Sequence, residues 1–195
     1  MLFSADDVLS YDKPSNEFAD FKSEAGAEQT LLFKSTHTLK EKLPLIEKNI
    51  AYHFASGGVW STHELLFHLL SIVGPANVFI ATWSITEEPA RMLVAGLNSG
   101  IINKMYGIFD VRVRRRSPET YAFAKHNFCQ AKTSILHAKV TVIENENWKI
   151  SIVGSSNYTN NPRIEAGVIS THDATAEFHK AWILEELKSA NPFDL

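Results

Sequence analysis

The 195-residue sequence contains one cysteine, Cys129, so no internal disulfide can form and a reducing compartment suits the chain. It also lacks an excess of either charge. Nineteen Lys and Arg stand against 22 Asp and Glu, a formal net charge of −3. That balance does not mark a general nucleic-acid coat protein, although a local basic patch remains compatible with it. No apolar run approaches membrane-spanning length; the strongest, Leu65 to Val73, is short and interrupted by His68. The opening MLFSADDVLSYDK has neither the basic segment nor the apolar core of a signal peptide. A soluble, cytoplasmic protein with no membrane association is therefore expected. Internal repeats and low-complexity linkers are also missing.

What is present is a hydrophobic content of 45%, enough for a core of its own. One compact domain is the simplest reading, with residues 1–55 as an N-terminal extension and 56–195 as the main domain. Residues 1–28 are polar and acidic, broken by Pro14 and Gly26, and read as an irregular arm. Thr30 to Lys34 reads as a short strand. Lys40 to Phe54 reads as a helix, since Leu43, Ile46, Ile50 and Phe54 recur at helical spacing, with Pro44 near its start. Ser56-Gly57-Gly58 is a turn.

Ser61-Thr62-His63-Glu64 fits a capping box and predicts a helix to Val73, stopped by Gly74-Pro75. His63 and His68 are five apart, not the four that stack a zinc pair on one helix face, and no Cys or carboxylate completes a ligand set. Neither a metal site nor a cofactor is expected. Asn77 to Thr82 predicts a buried strand and Glu87 to Leu97 the following helix. Ile101 to Val113 contains another strand, clearest in MYGIFDVRV. Ser117 and Pro118 cap and open a further helix. A last strand, Ile164 to Ser170, precedes a helix from about Asp173 to Lys188, packed through Phe178, Trp182 and Ile183. Strands alternating with helices predict an α/β fold, a mixed sheet with helices on both faces.

The chemistry concentrates in ILHAKVTVIENENWKISIVGSSNYTNNPRIEAGVI. Ser134 to Glu144 alternates as a strand rich in β-branched residues, which puts His137, Lys139, Thr141 and Ile143 on one face and Val140 and Val142 on the other. Glu144-Asn145-Glu146-Asn147 reads as a turn, and Trp148 to Val153 as a returning strand that runs into Gly154-Ser155-Ser156-Asn157. The hairpin brings a His-x-Lys pair near a Gly-Ser-x-Asn loop. An imidazole to attack, an ammonium and an amide to hold oxygens, and a small loop for close approach suit a phosphoryl group.

His137-x-Lys139, Gly154-Ser155-x-Asn157 and Glu165 resemble the HKD motif of the phospholipase D superfamily. Glu144 stands where that motif has Asp, and the interval to Gly154 is longer than usual. The resemblance implies a phospholipase D-like sheet and a metal-independent phosphodiesterase. It assigns His137 as nucleophile through a phosphohistidine, a second His137 as general acid and base, and Lys139 and Asn157 as holders of non-bridging oxygens. Ser155 adds a donor, and Glu165 orients the imidazole. The superfamily builds each site from two motif copies. This chain has one, so the resemblance implies a homodimer sharing one site.

A basic run, Arg112-x-Arg114-Arg115-Arg116, is followed by Lys125 and Lys132 interleaved with Tyr121, Phe123, His126 and Phe128. Cations beside aromatics suit a nucleic-acid backbone with stacked bases; the alternative is a solvated strand end and a helix with core aromatics. Arg114, Arg115 and Arg116 are the candidates for phosphate contact, whereas Phe123 and Phe128 suit the core. The combined expectation is a nuclease-like phosphodiesterase with nucleic acid, DNA first, as substrate. The alternative is a catalytically degenerate module of the same fold that binds nucleic acid or a protein, motivated by Glu144 and the stretched hairpin.

Overall fold

The computed structural model describes residues 28–32, 38–160 and 163–189. The expected arm at residues 1–28 lies almost wholly outside them, as do Phe33 and Lys34 of the first expected strand. In chain order the elements are β1 (Glu28–Leu32), α1 (Leu39–Lys42), β2 (Ala51–Ala55), α2 (Thr62–Val73), β3 (Ala76–Thr82), α3 (Glu87–Asn98) and β4 (Ile102–Asp110). They continue with α4 (Val111–Arg116), α5 (Pro118–Asn127), β5 (Gln130–Ser134), β6 (Lys139–Glu144), β7 (Lys149–Gly154), β8 (Ala166–Ser170) and α6 (Asp173–Lys188). The strands form one sheet in the order β1-β2-β8-β7-β6-β3-β4-β5. β3, β4 and β5 run parallel, and β6 runs antiparallel to β3 and to β7.

The expected α/β architecture with helices on both faces is what the chain adopts. On one face Leu65, Leu66, Leu69 and Leu70 of α2, Leu93 of α3 and Tyr121 of α5 pack into the larger core with Val78, Ile80 and Ile143 of the sheet. On the other, Ala176 and Ile183 of α6 cover Phe79, Ala81, Ile108, Val140 and Val142. The α2 capping box forms as expected: Ser61 Oγ accepts from the Glu64 N–H at 3.5 Å, and Glu64 Oε2 accepts from the Ser61 N–H at 2.7 Å. Gly57 and Gly58 make the expected turn with φ of 58° and 76°.

Four expectations need correction. Lys40 to Phe54 is not one helix: α1 ends at Lys42 and Ala51–Ala55 is a strand. The residue before a proline is pushed out of helical geometry, and Leu43 before Pro44 sits at φ −133°, ψ 61°. The apolar positions were nevertheless the buried ones, as Leu43, Ile46, Ile50 and Phe54 all lie in the core. Second, β4 ends at Asp110, whose carboxylate caps the Arg112 N–H, so Val111 to Arg116 is helical. Third, Phe178 does not pack on the sheet but is 65% exposed, leaving that task to Ile183 and the partly buried Trp182.

The fourth correction reaches the candidate site. Ser134 to Glu144 is not a single strand. β5 pairs parallel with β4 and ends at Ser134, whereas β6 starts at Lys139 and pairs antiparallel with β3. The chain must reverse between them and cross β4 and β3, so Ile135 to Ala138 cannot stay in the sheet. His137 therefore sits on an irregular connection just before β6.

Candidate active site at the C-terminal edge of the parallel strands

Antiparallel pairing fixes what meets at this edge. Lys139, first in β6, is in register with Thr82, last in β3, and Val140 with Val153 near the end of β7. Gly154 of β7 pairs with Gly167 of β8. Hence the connection carrying His137, the loop after β3, the loop after β7 and the entry to β8 all open on one side. In open α/β sheets this carboxyl edge of the parallel strands is where ligands bind.

The sequence-derived residues converge here to different degrees. The Lys139 Nζ donates to the His137 carbonyl at 2.9 Å and lies 3.3 and 3.5 Å from its ring nitrogens. Burial pushes the Lys139 pKa down, opposed by the negative charge of Glu165. Asn157 reaches the same place from β7: Thr82 Oγ1 donates to Ser84 O at 2.9 Å and approaches Asn157 Oδ1 at 3.4 Å. Ser155 Oγ donates to Glu165 Oε2 and accepts from the Ala166 N–H at 3.1 Å. Glu165 is further pinned through its backbone to Ser56, whose N–H donates to the Glu165 carbonyl at 2.7 Å. No hydrogen bond joins Glu165 to His137 among the described residues; its carboxylate holds Ser155 and its charge acts on Lys139.

Gly154 has a structural reason. A Cβ there would stand 2.9 Å from Ala166 O, and one at Gly167 2.6 Å from Val153 O. The small residue lets β7 and β8 close against each other, so the close approach read from the Gly-Ser loop is used within the sheet. Glu144 lies at the far end of β6, where it accepts from Lys180 Nζ of α6 at 2.5 Å. Lys180 also reaches Glu177 at 2.8 Å, and Glu177 pairs with Lys149 at 2.7 Å.

The basic run divides. Arg114, Arg115 and Arg116 are exposed on α4, which leaves directly from the site edge. Lys132, by contrast, is buried, its ammonium donating to Glu186 O at 2.7 Å, Ser189 O at 2.9 Å and Ser189 Oγ at 2.7 Å. Tyr121 and Phe128 pack around Phe109 in the core, with Phe123 partly buried against it. Neither Lys132 nor these aromatics belongs to an open nucleic-acid surface. His63 and His68 serve the fold. The His63 ring lies 2.9 Å from Ser61 Oγ, with its pKa pushed down by burial, and His68 bonds Leu43 O at 2.7 Å.

Two residues escaped the sequence reading. Trp83, immediately after β3, presents its ring to His137 edge-on, with centroids 5.5 Å apart and planes at 61°. Three cations surround the same ring: Arg112 at 4.7 Å, Arg116 at 6.0 Å and Lys139 at 6.0 Å from its centroid. Its Nε1–H is buried and makes no hydrogen bond among the described residues, a state that costs about 1–3 kcal/mol. Asp110 is the other. It is 1% exposed, and its Oδ1 accepts from Arg112 Nε at 2.5 Å while its Oδ2 accepts from the Leu136 N–H at 3.3 Å. Burial would raise the Asp110 pKa, but the hydrogen bonds from Arg112 and Leu136 outweigh it and hold the group below the usual aspartate value. The available signal was positional: both residues directly follow or end a predicted strand on the ligand-binding edge.

Solved structures with the same fold exist. A phospholipase D family member, Nuc from Salmonella typhimurium, matches with a TM-score of 0.54 at 19% identity, covering 69% of this chain and 91% of that one. NucT from Helicobacter pylori matches with a TM-score of 0.52 at 19% identity, over 71% of this chain and 97% of its own. Polyphosphate kinase from Porphyromonas gingivalis matches with a TM-score of 0.50 at 12% identity, over 74% of this chain but only 27% of that protein. No family model matches the sequence, and no curated protein matches it either. The resemblance read from the motif residues is thus borne out as a phospholipase D-like fold.

Proposed function

We propose that the chain is a phosphodiesterase that hydrolyses nucleic acid through a phosphohistidine on His137, at a site shared by two subunits. The observation that carries the proposal is the convergence of His137, Lys139 and Asn157 on the carboxyl edge of a phospholipase D-like sheet. His137 attacks phosphorus, splitting one displacement into two steps. The His137 of a second copy protonates the leaving oxygen and then deprotonates water. Lys139 and Asn157 hold the non-bridging oxygens where negative charge builds. Asn157 suits this task because its Oδ1 faces Thr82 and its amide N–H groups make no hydrogen bond among the described residues. Ser155 gives its hydroxyl proton to Glu165 and so holds that carboxylate at the rim, and Glu165 supports the charge of Lys139. Arg114, Arg115 and Arg116 extend from this edge as a phosphate track, which favours a polyanionic substrate such as DNA over lipid. Glu144 takes no part in the chemistry; its ion pair with Lys180 gives it a structural role in place of the usual Asp.

Two measurements test this. Reaction with a labelled phosphodiester, quenched in alkaline denaturant because the N–P bond is acid-labile, should trap the labelled phosphoryl ester on His137 of the wild type, one alcohol having left, and not on His137→Asn. Random mixing of equal wild-type and His137→Ala subunits makes about a quarter of dimers fully wild-type, so activity per total protein should fall to roughly a quarter. Independent sites would leave about half, and that result would remove the shared site.

A further inference from the structure

We infer that Asp110 and Trp83 are positioning residues that hold the His137 imidazole in place, a role that rests on the proposed nucleophile only for its kinetic consequence. His137 is exposed and sits on the Ile135–Ala138 connection, outside any strand, so the sheet itself does not fix it. A nucleophile on such a segment loses rate steeply when displaced, since about 1 Å of misplacement can cost on the order of a hundredfold.

One buried carboxylate limits that freedom from two sides. Asp110 Oδ2 accepts from the Leu136 N–H at 3.3 Å, one residue before His137, and so ties the connection to the end of β4. Asp110 Oδ1 accepts from the Arg112 N–H at 3.1 Å and from Arg112 Nε at 2.5 Å. Arg112 in turn lies 4.7 Å over the Trp83 ring, and the His137 imidazole leans on that ring edge-on at 5.5 Å. Backbone and ring of His137 are therefore both referred to Asp110. Trp83 serves here as a wall rather than as a stacking platform for a base: Arg112, held by Asp110, lies over its ring, and its N–H is buried. The charged groups around the imidazole are Lys139 directly, Arg112 and Arg116 across Trp83, and Glu165 through Lys139.

The test uses the full chain with isotope-labelled histidine, the His137 signal being assigned from its loss in His137→Asn. Trp83→Phe, Arg112→Lys and Asp110→Asn should each shift the His137 Cε1–H resonance, while the His63 resonance stays in place. On bis(p-nitrophenyl) phosphate, Asp110→Asn should lower kcat at least tenfold with KM within about twofold, the signature of lost geometry rather than lost binding. If Asp110→Asn does not fold, Arg112→Lys, which keeps the charge but loses the planar stack, and Trp83→Phe carry the same expectation. The inference fails if folded variants leave the His137 resonance and kcat unchanged, or if the His63 and His137 resonances move together as in general loosening. A wild type without phosphodiesterase activity would overturn the proposed function alone, because the resonance test does not depend on turnover.

Discussion

The two ends of β6 carry opposite charges put to different uses. At its far end Glu144, Lys180, Glu177 and Lys149 form a chain of ion pairs that fastens α6 to the β6–β7 hairpin. Burial would lower the Lys180 pKa, but Glu144 and Glu177 raise it above its ordinary value. At the near end Lys139 is bent back onto His137, and burial lowers its pKa with only the charge of Glu165 in opposition. Arg112 and Arg116 gather there around a tryptophan ring. A charge matched by neighbours, as Arg112 is by Asp110 and Lys180 by Glu144 and Glu177, stabilises the fold. Lys139, whose burial outweighs the charge of Glu165, is by contrast under-compensated, as a group that receives an anion is.

The comparison can be broken most forcefully at His137. His137→Asn should lower turnover of a phosphodiester by several orders of magnitude while leaving nucleic-acid affinity nearly intact, as read from single-turnover kinetics and a binding titration. If turnover survives, the near end is no more catalytic than the far one. The next largest effect is expected from replacing Arg114, Arg115 and Arg116 together with Ala. Affinity should fall and the slope of log affinity against log salt should flatten by roughly two to three. An unchanged slope would make the α4 arginines a solvated surface.

The far end should respond in the other currency, stability. Glu144→Gln should cost about 1–2 kcal/mol in denaturant unfolding and leave kcat/KM within about twofold. Trp83→Phe should do the converse: losing the unpaired N–H offsets the lost ring volume, so stability should shift by no more than about 1 kcal/mol while kcat falls. The smallest effect concerns pH. Glu165 raises the Lys139 pKa, so Glu165→Gln should let Lys139 lose its proton at lower pH, and the alkaline limb of the pH–rate profile should move toward neutrality. A limb that stays in place would detach Glu165 from Lys139. Asp110 gives the opposite sign on the acid side. Its depressed pKa contributes stability that is present above the unfolded-state value and lost as pH falls through the folded-state value. Asp110→Asn should flatten that part of the stability curve.

Much of the site was legible because its parts are local. His137-x-Lys139 and Gly154-Ser155-x-Asn157 flank a hairpin whose alternation, Lys139 to Glu144 and Lys149 to Gly154, is visible in the sequence and needs only its own turn to form. The cap at Ser61 and the helix to Val73 are equally local, set by side chains three residues apart. The failures came where the pairing partner decides. Ser134 to Glu144 alternates throughout, yet Ser134 belongs to a strand parallel to β4 and Lys139 to one antiparallel to β3. Nothing in an alternating pattern encodes strand direction, so the break that frees His137 exists only in the assembled sheet. Likewise Leu43, Ile46, Ile50 and Phe54 were readable as buried, but pairing with β8 and β1, not helical period, determined how Ala51–Ala55 is buried. Trp83, Asp110 and Leu136 are far apart along the chain and meet only because parallel strands deliver their carboxyl ends to one edge. The sequence by itself determined which residues are candidates for the chemistry and which are apolar enough for the core, since both depend on side-chain type and short spacing. The tertiary structure alone decided what surrounds His137, because a sheet's order and direction are set by contacts between segments that no local pattern records.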